Sequence, residues 1–221
     1  MTEGTNRKET VSRVEKEPIK TSWVVITGAP SSGKTTTFDY LSSILKKQGF
    51  ISPPEIERRI IEEDQRRGVG RENTPEYAMM LEHRFLAARE ELERSLDPSS
   101  NLVMDRSLLE IIAYARYYKA SEGFAVGPAK RFRYKQIFYL EPINSYEQDT
   151  TRVEDIKFAK WMHKNLPKLY EEFGYEVIRV PAMPVDEREV PDEKERVAKS
   201  VARRADFILN KLGLEKEKAS S

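Results

Sequence analysis

The sequence lacks cysteine, which excludes disulfide bonds, thiolate-bound metals and thiol catalysis. It has little histidine: His83 and His163 stand alone at helical positions without the spacing of metal ligands, and we interpret both as structural. It lacks an excess of charge of either sign, because 38 basic residues balance 37 acidic ones, so no overall field favours nucleic acid or a membrane surface. Apolar runs of 18 residues and the apolar core of a signal peptide are also missing. These absences predict a soluble, cytoplasmic protein without a nucleic-acid partner or membrane insertion.

Apolar runs alternate with amphipathic stretches along the chain, a pattern typical of βαβ units and a mainly parallel sheet. The 221 residues are enough for one such domain. We predict a flexible N-terminal segment over 1–20, one folded domain over 21–213 and a flexible tail over 214–221. The fold class predicted is a three-layer α/β/α sandwich with five parallel strands joined by helices. In chain order the predicted strands are 24–27, a short one around 49–51, 102–105, 136–140 and 176–180.

A glycine-rich loop follows the first predicted strand and carries the strongest functional signal. It fits the pattern G-x-x-x-x-G-K-[ST], and helical spacing resumes directly after it. In such a loop the backbone N–H groups and the positive end of the helix surround phosphate oxygens, while Lys34 reaches the β- and γ-phosphates and the Thr35 hydroxyl binds Mg²⁺. The alternative is an ordinary glycine turn. The predicted nucleotide-binding residues are Gly28, Ala29, Pro30, Ser31, Ser32, Gly33, Lys34, Thr35 and Thr36.

Further candidates follow the other strands, because ligands of open parallel sheets bind beyond the carboxyl ends of the strands. Asp105 ends the third predicted strand, where a carboxylate holds Mg²⁺ directly or through water. Arg106 then contacts a hydroxyl or phosphate of the substrate. The alternative is a helix-capping Asp with a surface Arg.

Glu55 and Arg58 follow the second predicted strand and share one helix face. Near the phosphate loop, this carboxylate would accept the proton of an attacking hydroxyl and the arginine would orient the acceptor. The alternative is a solvated helix face, which is what a run of mixed charge usually forms.

A long polar stretch from Glu141 to Arg152 follows the fourth predicted strand and has the character of a mobile lid. Arg152 would stabilise charge on a transferring phosphoryl group, and lid closure would exclude water. The alternative is a plain surface loop that ends at a helix.

Together these motifs resemble the P-loop domain shared by NadR-type ribosylnicotinamide kinases and Ttd14-like proteins, over roughly residues 22–212. The resemblance implies the nucleoside and nucleotide kinase type of P-loop fold with strand order 2-3-1-4-5, ATP with Mg²⁺ as phosphoryl donor, and Arg152 as lid arginine. Glu55 and the Asp105-Arg106-Ser107 motif are similar in placement to the base and acidic motif of deoxynucleoside kinases. Where the family tends to carry Asp a few residues later, this chain has Glu110. The matching stretches are 28–37, 54–64, 105–107 with 113–114, 133–134, Asp149 with Arg152, and 170–177 leading to 180–181.

Two hypotheses for function follow. The first is an enzyme that transfers a phosphoryl group from ATP·Mg²⁺ to a small nucleoside-like acceptor. In it Lys34, Glu55, Asp105 and Arg152 are catalytic, Thr35 and Asp105 place the metal, and Glu55, Arg58 and Arg106 bind the acceptor. The second is a nucleotide-binding switch or regulatory module that acts through a protein or lipid partner. The sequence leaves the acceptor and the oligomeric state open.

Overall fold

The computed structural model describes residues 17–70, 72, 74–143 and 156–214. Most of the two predicted flexible segments lies outside these ranges. The helices are α1 (Lys34–Lys47), α2 (Ile56–Arg66), α3 (Pro75–Ser95), α4 (Leu109–Tyr117), α5 (Gly123–Ala129), α6 (Ile156–Glu172) and α7 (Glu193–Leu212). The strands are β1 (Ile19–Lys20), β2 (Val24–Thr27), β3 (Val103–Asp105), β4 (Phe132–Arg133), β5 (Gln136–Leu140) and β6 (Val177–Val180).

The central sheet is parallel and has four strands among the described residues, in the order β3-β2-β5-β6. The prediction of five strands is therefore confirmed only in part. The expected second strand is reduced to one parallel bridge, from Ile51 to Leu102 beside β3. Two prolines, Pro53 and Pro54, follow this bridge and have no N–H to donate, which explains why pairing stops there.

The side chains of β2 alternate between the two faces of the sheet, and each face packs against an apolar layer. Val24 and Ile26 pack with α1 and α7, whereas Val25 packs on the opposite face with α3, α4 and α6. Both faces of β2 are thereby covered, as expected for a β-branched run in a parallel sheet. The predicted arrangement of helices around a parallel sheet is confirmed.

Local signals determine several helix boundaries. The Thr74 side chain accepts a hydrogen bond from the Tyr77 N–H at 3.2 Å, with Pro75 in the first turn of α3. The short strands β1 and β4 pair in parallel, so Ile19–Lys20, which the sequence analysis assigned to the flexible N-terminal segment, are part of the folded structure.

In the described part of the chain, no helix combines the length and apolar character needed to cross a membrane.

Candidate active site

The phosphate-loop motif connects β2 to α1 and contains two residues in the left-handed backbone region. Ser31 and Gly33 have positive φ angles of 64° and 73°. Gly33 precedes the first turn of α1, and no side chain caps this helix end. The N–H groups of the first turn therefore remain available, and the helix dipole adds partial positive charge at the same place. This arrangement fits an anion.

The loop leaves little room for side chains at the two glycine positions of the motif. A Cβ on Gly28 would lie 2.6 Å from Ser32 Oγ, and one on Gly33 would lie 2.7 Å from Ile143 Cδ1. Ser32 Oγ is itself buried without a hydrogen-bond partner in the described part of the chain. A cradle of N–H groups with an unpaired buried hydroxyl matches the donors that a polyphosphate requires. The residues present thus fit a bound nucleotide.

Lys34 and Asp105 form a mostly buried ion pair between the start of α1 and the end of β3. Burial and the nearby Arg106 guanidinium lower the pKa of Lys34, and Asp105 opposes this effect. The Thr35 side chain is exposed beside this pair. Within the described ranges no three His, Asp or Glu side chains cluster around a metal position. A Mg²⁺ ion held by Thr35 and Asp105 would accordingly take its remaining ligands from phosphate and water.

A cavity of about 420 Å³ opens beside Thr35 and brings together residues from α1, α2, α3, α4 and the turn after β3. Four predicted site residues line it: Thr35, Glu55, Arg58 and Arg106. The remaining lining residues, which no prediction included as site residues, are Glu57, Ile61, Glu62, Gln65, Glu82, Phe85 and Tyr114.

Glu55 directly precedes α2 and lies at the mouth of this cavity. Burial and the Asp105 carboxylate raise the pKa of Glu55, against the effect of Lys34 and the arginines. Its Oε2 atom is 3.9 Å from Nη1 of Arg58, whose side chain is mostly exposed. The Arg58 Nε atom donates to Glu62 at 3.1 Å. The structure therefore brings the predicted pair together, with Arg58 shared between two carboxylates.

Arg106 lies in a left-handed turn with φ of 66°, which directs the chain sharply away from the end of β3. Its N–H donates to the Ile26 carbonyl of β2 at 3.0 Å. Burial acts to lower the pKa of Arg106, but Tyr114, Asp105 and Glu57 together raise it well above its usual value. The guanidinium thus carries a full charge at the inner wall of the cavity.

Arg89 of α3 holds this turn in place and was not anticipated from the sequence. The side chain is 3% exposed and donates to the carbonyls of Asp105 at 3.1 Å and Arg106 at 3.2 Å. Its Nε atom donates to Glu57 of α2 at 2.9 Å. Burial raises the pKa of Glu57, yet Arg89 and Arg106 outweigh it and keep this pKa below its usual value. One guanidinium therefore links α2, α3 and the Asp105-Arg106 turn.

Glu82 is the second unanticipated residue in the cavity wall. It is 6% exposed, and burial raises its pKa well above the usual range. The buried residues of α3 are Glu82, Phe85, Leu86, Arg89 and Glu93. Charged residues at the spacing of an apolar helix face are the signal in the sequence that identifies this buried stripe.

Glu110, the position at which the chain differs from the resembling family, lies beneath the site in a buried network. It accepts hydrogen bonds from Thr27, from the Ser107 N–H at 2.9 Å and from the Tyr170 hydroxyl at 2.9 Å. Through these hydrogen bonds Glu110 of α4 links β2 to α6. It does not line the cavity.

The first residues of the predicted lid follow β5 and lie beside the phosphate loop. The described part, Glu141 to Ile143, leaves β5, and the Ile143 side chain contacts Gly33. The rest of the predicted lid, with Arg152, lies outside the described residues.

A second cavity, of about 660 Å³, lies around β1 and β4, which form a separate two-stranded sheet. It contains none of the predicted site residues. Its basic and aromatic neighbours are paired within the fold: Arg131 with Glu90 at 3.2 Å, and Arg133 over the Tyr175 ring.

The parallel sheet, the phosphate loop and the Lys34–Asp105 pair define a P-loop nucleotide-binding domain. The chain belongs to the family whose model is described as an AAA domain, which matches residues 23–188. A comparison with curated proteins gives no significant match.

Solved structures with the same fold include kinases of small substrates. NadR protein in complex with NR has a TM-score of 0.59 at 19% identity, over 91% of this chain and 54% of that one. This chain thus spans about half of the NadR chain. Deoxyadenosine kinase from M. mycoides has a TM-score of 0.53 at 17% identity, over 86% and 98%. Thymidylate kinase from Ehrlichia chaffeensis has a TM-score of 0.55 at 14% identity, over 90% and 100%. At these identities the likeness shows the fold.

Proposed function

We propose that this protein is a small-molecule kinase that transfers a phosphoryl group from ATP·Mg²⁺ to a nucleoside-like acceptor. The observation that carries the proposal is the cavity beside Thr35, where Glu55, Arg58 and Arg106 converge next to the phosphate loop. A hydrolase of ATP needs no such second pocket. The nucleoside and nucleotide kinases of the same fold support the assignment.

The residues of the phosphate loop would bind and orient the donor. When bound, ATP supplies the phosphoryl group and Mg²⁺ neutralises developing charge. The α1 amides and Lys34 would hold the β- and γ-phosphates, while Thr35 and Asp105 would hold the metal. Arg152 would cover the transferred group. Positioning and charge stabilisation account for most of the rate in such a reaction.

Glu55 and the two arginines would handle the acceptor. Glu55, whose raised pKa brings it nearer to neutrality, would take the proton of the attacking hydroxyl or bind that hydroxyl. Arg106 and Arg58 would fix the acceptor from opposite sides of the cavity. The aromatic rings of Phe85 and Tyr114 would pack against a ring of the acceptor.

The test is ATP turnover with Mg²⁺ against nucleosides, nucleoside monophosphates and nicotinamide riboside, with products identified by mass spectrometry. Lys34→Ala should lower kcat/KM at least about a hundredfold, because a charge-stabilising contact is removed. Glu55→Gln should lower it by a similar factor if Glu55 is the base. The matched controls are Lys47→Ala and Glu63→Gln, exposed changes on the same two helices.

A phosphorylated acceptor that disappears in Lys34→Ala but not in Lys47→Ala supports the kinase. Tight nucleotide binding without acceptor-dependent turnover would contradict it. That result would favour the alternative, a nucleotide-dependent switch with a protein or lipid partner.

A further inference from the structure

Arg204, on the inner face of α7, is a fully buried guanidinium directly behind the phosphate loop. The side chain has 0% exposure. A Cβ built on Gly33 would lie 3.4 Å from its Nη1 atom, so the guanidinium reaches the glycine that begins α1. Arg204 lies in α7, far along the chain from the phosphate-loop motif that it contacts.

The guanidinium connects the carboxyl ends of three neighbouring strands. Its Nη1 atom donates to the Ser32 carbonyl in the phosphate loop at 2.6 Å. Its Nε atom donates to the Pro181 carbonyl after β6 at 3.0 Å, and its Nη2 atom donates to the Glu141 carbonyl after β5. The rigid fork of an arginine can hold three such acceptors at once, which a lysine cannot.

The bond to Ser32 fixes the direction of the next N–H. A peptide unit is planar and trans, so the Ser32 carbonyl and the Gly33 N–H point in opposite directions. With the carbonyl turned toward Arg204, this N–H points away from α7. It donates to no backbone acceptor in the described part of the chain. Arg204 therefore holds a loop amide in the orientation that a phosphate oxygen needs.

The charge of Arg204 has no carboxylate partner at ion-pair distance among the described residues. The Glu141 carboxylate, the acidic group whose charge acts to raise the pKa of Arg204, pairs with Arg179 at 2.7 Å. Burial lowers the pKa of Arg204 to about 10, so the side chain is still charged at neutral pH. A buried charge whose hydrogen bonds all go to carbonyl groups is unfavourable, and an anion across the loop would compensate it.

We propose that Arg204 is a positioning residue for the polyphosphate of the nucleotide. It orients the Gly33 amide through the Ser32 carbonyl and supplies a positive charge behind the loop. The inference rests on nucleotide binding by the P-loop and does not require phosphoryl transfer.

The experiment compares Arg204→Met, Arg204→Lys and the control Arg203→Met in the full chain. Arg203 is the neighbouring residue on α7, partly exposed and paired with Glu189 at 3.1 Å. The affinities for Mg·ATP and Mg·ADP are measured by isothermal titration calorimetry. Thermal melts with and without nucleotide report stability separately.

We expect Arg204→Met to weaken ATP and ADP binding about tenfold to a hundredfold, since it removes charge-assisted hydrogen bonds as well as the charge. Arg204→Lys should lose less, because it keeps the charge, and Arg203→Met should stay within about twofold of the wild type. The rise in Tm on adding ATP should shrink in the same order.

A folded Arg204→Met variant that binds ATP within about twofold of the wild type would overturn the proposal. Should Arg204→Met not fold, Arg204→Lys decides in the same assay, and unchanged ATP binding there also overturns it. A wild-type protein that binds ATP but phosphorylates no acceptor would contradict the kinase and leave this proposal intact.

Discussion

At the scale of single residues, the pKa of Glu55 determines the pH dependence expected of the proposed kinase. Its pKa is raised by burial and by Asp105, while Arg58 acts in the opposite direction. A general base must be deprotonated to act, so a raised pKa moves the acid limb of the activity profile to higher pH.

The acid limb of kcat/KM should therefore have its midpoint above the ordinary pKa of a glutamate, 4.5. Arg58→Gln should move this midpoint further upward, by a few tenths of a pH unit, because the exposed arginine contributes only a screened interaction. A pH–rate profile measures both. Arg59→Gln is the matched control, since Arg59 is exposed on the same helix and does not line the cavity. An acid limb that Arg58→Gln leaves in place would argue against Glu55 as the titrating base.

At the scale of secondary-structure elements, α3 acts as a rigid support that carries charges on its inner face. Asp64 of α2 accepts two hydrogen bonds from Arg84 of α3, at 2.6 and 2.9 Å. Farther along, Arg89 binds Glu57 of α2 and the carbonyls of the turn after β3. The cavity beside Thr35 thus lies between two helices that ion pairs join to each other.

Arg89→Met should destabilise the protein by about 3–5 kcal/mol, because it leaves the mostly buried Glu57 carboxylate without its partner. Arg94→Met, which removes an exposed arginine from the same helix, should cost less than about 1 kcal/mol. Urea denaturation of both variants measures the free energies of unfolding. Equal effects of the two substitutions would show that the Arg89 contacts contribute little.

The sequence predicted the site residues that belong to a local motif. It did not predict the residues whose role depends on packing between distant parts of the chain. The loop from Gly28 to Thr35 is recognisable because its chemistry requires fixed residue types at fixed spacing. Arg89 and Arg204 belong to no such motif: each lies at the spacing of an apolar helix face, but an arginine on a charged helix normally faces solvent. Their burial depends on which elements cover them. The expected strand at Ile51 shrank to a bridge because the prolines after it end the pairing at a sheet edge.

At the scale of the whole molecule, Glu93 ties global stability to pH near neutrality. It is 0% exposed at the end of the α3 stripe, and it accepts a hydrogen bond from the Tyr134 hydroxyl at 3.0 Å. Burial raises its pKa to about 7, against the effect of Arg89. The folded protein therefore retains a proton there that the unfolded chain releases at lower pH.

Because proton binding is linked to folding, the raised pKa of Glu93 makes the protein less stable as the pH rises. The Glu93 contribution to stability is fully present below the unfolded pKa, near 4.5, and is lost as pH rises through about 7. Glu93→Gln, which keeps the shape and an acceptor for Tyr134, should match the wild type near pH 5. At pH 8 it should be more stable by about 1–3 kcal/mol.

Denaturation curves at the two pH values measure this difference. Glu91→Gln, an exposed change two positions away on the same helix, should leave the pH dependence of unfolding unaltered. If the free energies of unfolding of Glu93→Gln and the wild type differed by the same amount at both pH values, Glu93 would not titrate in this range.

The contact between Arg204 and Ser32 spans 172 positions of the chain. During synthesis the ribosome makes the glycine-rich motif early and α7 late, so a growing polypeptide carries the whole motif long before its anchor exists. A domain generally folds as a unit, so the phosphate loop reaches its final conformation only when α7 is present. A nucleotide whose binding depends on this anchor would thus bind only after α7 has been synthesised and has packed behind the loop.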